Sequence, residues 1–103
     1  MINIEPKHFS GIVSILEEFL PKGISVFIFG SRINGTAKKF SDVDLCLKSD
    51  DAILNEIISH LEEAFSLSDL PYGIDIVVYS KCTDAFRAII DANNVKIYPK
   101  DKN

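Results

Sequence analysis

The chain has 103 residues, 47% of them hydrophobic and 25% charged, with 5 Gly and 4 Pro. That is the composition of a folded globule with a thin core, expected to form one domain over residues 1–103, and it excludes a disordered segment. The formal net charge of -4 argues against extended contact with DNA or RNA, which needs a surface dense in Lys and Arg.

Cys46 and Cys82 form neither a disulfide framework nor a spaced zinc motif, so both are expected as reduced thiols. The opening residues Met1 to Pro6 lack a basic patch followed by an apolar run, and no segment approaches the roughly 20 apolar residues of a membrane span. A soluble, cytoplasmic protein without a membrane partner is the expectation.

After Pro6, the apolar residues Phe9, Ile12, Val13, Leu16, Phe19 and Leu20 recur at helical spacing until Pro21-Lys22-Gly23. Ile24 to Phe29 is short, apolar and β-branched, which predicts a central strand covered on both faces. Gly30-Ser31 ends it in a tight turn, with Gly35 nearby and a short helix expected from Arg32. A second strand is predicted from Asp42 to Leu47, with Asp42, Asp44 and Cys46 on one face and Val43, Leu45 and Leu47 on the other.

A helix is expected from Asp50 or Asp51 to Phe65, where the two acids suit the positive N-terminal end. A loop containing Pro71 follows. Ile74 to Tyr79 reads as a third strand interrupted by Asp75, then a helix runs from Cys82 or Thr83 to Ala92. Val95 to Tyr98 is a candidate edge strand, and 99–103 a flexible tail. The predicted class is α/β (α+β): a mixed sheet of three to four strands backed by helices.

An acid in a covered strand costs several kcal/mol in desolvation unless it is paired, hydrogen-bonded or bound to metal. If the strand of Asp75 lies beside that of Asp42 and Asp44, all three can face one open side of the sheet. Hard oxygen donors without His suit Mg²⁺, or Mn²⁺, better than Zn²⁺. Gly30-Ser31 can offer backbone N–H groups and a hydroxyl to phosphate oxygens, although the Gly-Lys-Ser/Thr ending of a Walker loop is missing. Arg32, Lys38 and Lys39 lie in a stretch, 31–41, free of Asp and Glu, and form a basic rim suited to a triphosphate.

Other candidates read as structure. Cys46 is expected as a small apolar filler, and His8 and His60 lack ligand partners at metal-like spacing. Tyr79 shares the strand parity of Asp75, but packing is the better reading.

Taken together, Gly30-Ser31-Arg32-Ile33-Asn34-Gly35, then Ser41-Asp42-Val43-Asp44-Leu45, then Asp75, resemble the polymerase-β-type nucleotidyltransferase superfamily. The likeness is to its minimal branch, small proteins often encoded beside a helical HEPN-domain partner. By motif it covers residues 24–79. It implies a palm-like fold, Asp42, Asp44 and Asp75 as catalytic and metal-binding residues, and Gly30, Ser31, Arg32 and Gly35 at the nucleotide. It also implies an antitoxin that transfers AMP from ATP, or NMP from another NTP, to a tyrosine of a HEPN ribonuclease toxin with which it forms a hetero-oligomer.

At 103 residues the chain is expected to lack the accessory domain that most larger relatives of the family carry. A catalytically weak module acting by stoichiometric binding is therefore the alternative, followed by transfer to a small molecule.

Overall fold

The computed structural model describes residues 2–39 and 41–100. Of the tail expected at 99–103, residues 101–103 lie outside the described residues. The elements in order are helix α1 (Pro6–Phe19), strand β1 (Ile24–Phe29), helix α2 (Ser31–Asn34), strand β2 (Val43–Ser49), helix α3 (Asn55–Ser66), strand β3 (Ile74–Val78), a 3-10 turn (Tyr79–Lys81), helix α4 (Asp84–Ala92) and strand β4 (Asn94–Tyr98).

The strands form one sheet in the order β3-β2-β1-β4. β1 pairs antiparallel with β2 and β4, whereas β2 pairs parallel with β3. A parallel pair needs a crossover, which is made by the segment containing α3. The result is the mixed, helix-backed sheet that the sequence predicts, with the possible fourth strand present at one edge.

The larger core lies on one face of the sheet, where Ile12 and Leu16 of α1 and Leu61 and Phe65 of α3 pack with Val26, Ile28, Val43, Leu45 and Leu47. On the other face, Ile90 of α4 is buried with Phe29 and Cys46, and Phe27, Val77 and Phe86 pack around them. β1 is thus covered on both sides, as its uniform apolar character requires.

Several boundaries differ from the sequence reading by one or more residues, and three of them have a visible local cause. β2 begins at Val43, because the Val43 N–H donates to the Gly73 carbonyl at 2.9 Å and Asp42 stays in the connection. α3 begins at Asn55: the Asp51 N–H donates to Ser49 Oγ at 3.2 Å, so the two acids form a bend ahead of the helix and Ile53 enters the core before it starts. β3 ends at Val78, since the Cys82 N–H closes a turn on the Tyr79 carbonyl at 3.1 Å.

Candidate active site

The parallel register places Asp44 opposite Asp75, and the antiparallel register places Asp44 opposite Phe29. Side chains opposite one another leave a sheet on the same face. Asp44 and Asp75 therefore share the face that α4 covers farther along, at an end of the sheet where Gly30 follows β1. Asp75 lies on the edge strand and is exposed, while Asp44 on the inner strand is half-buried.

Gly30 is fitted to this place twice. Its backbone has φ +82° and ψ −152°, a region open to glycine almost alone. A Cβ there would also overlap Asp44 Oδ2. Gly35 closes α2 in the left-handed conformation with φ +85° and no neighbour within 4 Å of a would-be Cβ, so its requirement is conformational. Ser31 is the first residue of α2, directly after the turn.

Asp42 lies just ahead of β2 and is exposed. A Cβ added to Gly73 would meet Asp42 Oδ1 at 2.6 Å, so the carboxylate leans on a bare glycine backbone. Gly73 is the residue that sequence reasoning missed. The signal was available in a glycine one position before the strand that carries Asp75.

Burial raises the Asp44 carboxyl above its ordinary pKa of 3.8, and the charges of Asp75 and then Asp42 raise it further. The three acids thus act on one another through space. Among the described residues, however, no group of three or more His, Cys, Asp or Glu side chains is drawn together closely enough to hold a metal ion. In donor chemistry the acids fit a hard divalent cation, being all oxygen with no imidazole or accessible thiolate among them. Register places Asp44 and Asp75 side by side on one face, whereas Asp42 stands outside the strand pair.

Arg32 is placed differently from the expectation of a nucleotide contact. Its side chain is buried, with 4% exposure. One terminal nitrogen donates to the Asn3 carbonyl at 3.1 Å and the other to the Lys39 and Ser41 carbonyls at 3.3 and 2.6 Å. The guanidinium also lies over the Tyr72 ring, 4.4 Å from its centroid. The fork is directed to carbonyls and an aromatic face, away from the role of a solvent-facing phosphate ligand. A buried cation thus adjoins the segment that leads into Asp42, and its two terminal nitrogens are met by backbone carbonyls.

The remaining candidates take structural positions. Cys46 is fully buried, and that burial pushes its thiol up to about 11, so it stays protonated at neutral pH. His8 Nδ1 is hydrogen-bonded to the Tyr72 hydroxyl at 2.9 Å. The Tyr79 hydroxyl donates to Asp91 Oδ2 at 2.7 Å, and Lys48 Nζ stands 4.3 Å from the ring centroid. Both lie toward the far end of the strands. A cavity of about 330 Å³ at that end, lined by Ser25, Lys48, Ser49 and Tyr79 among others, is remote from the acids.

The family model described as polymerase beta, nucleotidyltransferase matches residues 11–103. A probable protein adenylyltransferase, MntA, of Haemophilus influenzae is 36% identical over 101 residues, covering 98% of this chain and 88% of the relative. Among solved structures, a toxin–antitoxin with AMP-PNP superposes with a TM-score of 0.71 at 22% identity, over 85% of this chain and 70% of that one. A tri-AMPylated Shewanella oneidensis HEPN toxin in complex with MNT antitoxin gives 0.66 at 17% identity, over 90% and 71%. At those identities the structural likeness speaks for the fold, whereas the family match and the Haemophilus relative extend over most of the sequence. The chain belongs to the polymerase-β-type nucleotidyltransferase family.

Proposed function

We propose that this protein is a metal-dependent nucleotidyltransferase that moves AMP from ATP to a tyrosine of a HEPN-domain toxin, and that it thereby acts as the antitoxin in a cytoplasmic hetero-oligomer. The observation that carries the reading is the pairing of Asp44 with Asp75, with Gly30 packed against Asp44. The protein acceptor is supported by the Haemophilus relative, which is named a probable protein adenylyltransferase, and by the AMPylated HEPN toxin in the Shewanella complex.

In this reaction the phenolic oxygen of the acceptor attacks the α-phosphorus of ATP. The bond from that phosphorus to the α,β-bridging oxygen breaks, and pyrophosphate leaves with the electron pair. Asp75, exposed on the edge strand, is the group we assign to take the phenolic proton, a role that requires it to come within about 3 Å of the hydroxyl. The Gly30-Ser31 turn, closed at Gly35, offers backbone N–H groups and a hydroxyl to the β- and γ-phosphates.

Asp42, Asp44 and Asp75 are assigned to hold Mg²⁺ or Mn²⁺, which when bound supplies positive charge to the phosphate oxygens and the leaving pyrophosphate. Burial raises the Asp44 pKa first and the charges of Asp75 and Asp42 raise it further, and a bound cation would relieve that second contribution. The test is transfer of label from α-labelled ATP to a purified HEPN-domain toxin in the presence of Mg²⁺. Asp42→Asn is expected to abolish it, and transfer that survives loss of both Asp42 and Asp44 excludes the mechanism.

A second reading, stoichiometric neutralisation, is favoured by the incomplete gathering of the three acids among the described residues. Replacing all three with Asn separates the two readings. If that variant neutralises the toxin at a one-to-one ratio, catalysis is dispensable; if it binds without protecting, neutralisation by binding alone is excluded.

A further inference from the structure

Arg32 is the one charged side chain that is buried among the described residues, and no carboxylate accounts for it. A buried guanidinium is costly unless its donors are met. Here they are met by carbonyls from two distant segments, Asn3 on one side and Lys39 and Ser41 on the other, while its Nε has no partner among the described residues. The backbone reinforces the first link, because the Asn3 N–H donates to the Arg32 carbonyl at 2.9 Å.

The second link ends beside the site, since Ser41 immediately precedes Asp42. The Tyr72 ring beneath the guanidinium immediately precedes Gly73, which lies close against the Asp42 carboxylate and accepts from the Val43 N–H. Tyr72 is itself held from α1, edge-on to the His8 ring at 5.3 Å and hydrogen-bonded to it. The two backbone segments that deliver Asp42 and Asp75 therefore meet at one cation on one aromatic ring.

We propose that Arg32 and Tyr72 form a clasp that sets the position of Asp42 relative to Asp75, making Arg32 a positioning residue for transfer and not a ligand of the nucleotide. The inference rests on the nucleotidyltransferase reading only for its catalytic consequence; the clasp itself is a property of the free protein. A planar fork donating to several carbonyls while stacked on a ring cannot be reproduced by an ammonium.

The test compares Arg32→Lys, Arg32→Met, Tyr72→Phe and Tyr72→Leu in two measurements. Amide hydrogen exchange of the free protein reads the clasp: Arg32→Met and Tyr72→Leu should speed exchange about ten-fold or more at Ser41 and Val43, whose N–H groups donate to the Lys38 and Gly73 carbonyls, with the protected amides of β1 unchanged. Steady-state transfer reads the consequence: kcat should fall about ten- to a hundred-fold, the scale of a small misplacement, while KM for ATP stays within about two-fold. Tyr72→Phe, which keeps the ring, should stay near wild type, and Arg32→Lys should fall between.

Exchange that is unchanged in Arg32→Met overturns the clasp, as does a rise in KM for ATP with kcat preserved, the signature of a lost phosphate contact. If Arg32→Met does not fold, Arg32→Lys and Tyr72→Leu carry the same comparison. If the wild-type protein transfers no label to any acceptor, the nucleotidyltransferase reading fails by itself, and the exchange data still decide whether the clasp exists.

Discussion

Asp44 and Asp75 stand directly opposite one another in the parallel pairing of β2 and β3. Two acids in that relation repel, and unlike most cross-strand pairs they weaken the sheet that holds them. In the nucleotidyltransferase reading proposed above the pair is kept for the cation it holds, and the consequences can be measured.

Replacing Asp44 with Asn should stabilise the metal-free protein at pH 7 while abolishing transfer. The Asp44 pKa is raised above 3.8, first by burial and then by Asp75 and Asp42. A carboxyl shifted in that direction contributes its full stabilisation below its unfolded pKa and loses it as pH rises through the folded value. Thermal melts in a chelating buffer should therefore show a higher midpoint for Asp44→Asn at pH 7, with a gain that shrinks as pH falls toward 3.8. A gain independent of pH would assign the effect to something other than charge.

Adding Mg²⁺ should raise the melting midpoint of the wild-type protein more than that of Asp44→Asn, because a ligand stabilises only the state that binds it. Equal shifts in the two proteins would place the cation elsewhere.

Gly73→Ala should reduce transfer far more than stability. The added methyl carbon would lie 2.6 Å from Asp42 Oδ1, and the exposed carboxylate can move aside at little structural cost but only by leaving its place. Gly30→Ala combines a similar clash with Asp44 and a backbone region that costs a side chain about 1–3 kcal/mol. Denaturant melts alongside label transfer should rank Gly30→Ala as the less stable of the two.

Leu45→Ala removes a side chain with no solvent exposure from the larger core, and a loss of about 2–5 kcal/mol is expected from chemical denaturation. Leu45 faces away from the acids, so kcat should hold at temperatures where the variant remains folded. A specific collapse of kcat in the folded variant would contradict the separation of the two faces.

Cys46 should resist alkylation in the folded protein up to about pH 9, because its thiol is buried and pushed up to about 11. Mass mapping after iodoacetamide treatment should find it modified only once denaturant is added.

Several features of this protein are written in short stretches of sequence. Helical spacing in α1 and the uniformly apolar β1 predicted both elements, because periodic burial is a local pattern. Gly-Ser, ten intervening residues, Asp-x-Asp and a later strand Asp marked the candidate site. The boundaries of β2 and α3 were less legible, since a hydrogen bond from Val43 to Gly73 and one from Asp51 to Ser49 decided them.

What remained belongs to the tertiary structure. Parity could put Asp44 on a face, but only strand order and register could bring Asp75 beside it. The same holds for Arg32, which any reading by residue type directs toward a phosphate. Its donors instead meet carbonyls at Asn3, Lys39 and Ser41 over the Tyr72 ring. A side chain's chemistry is carried by the sequence; its partner is chosen by the folding of distant segments around it.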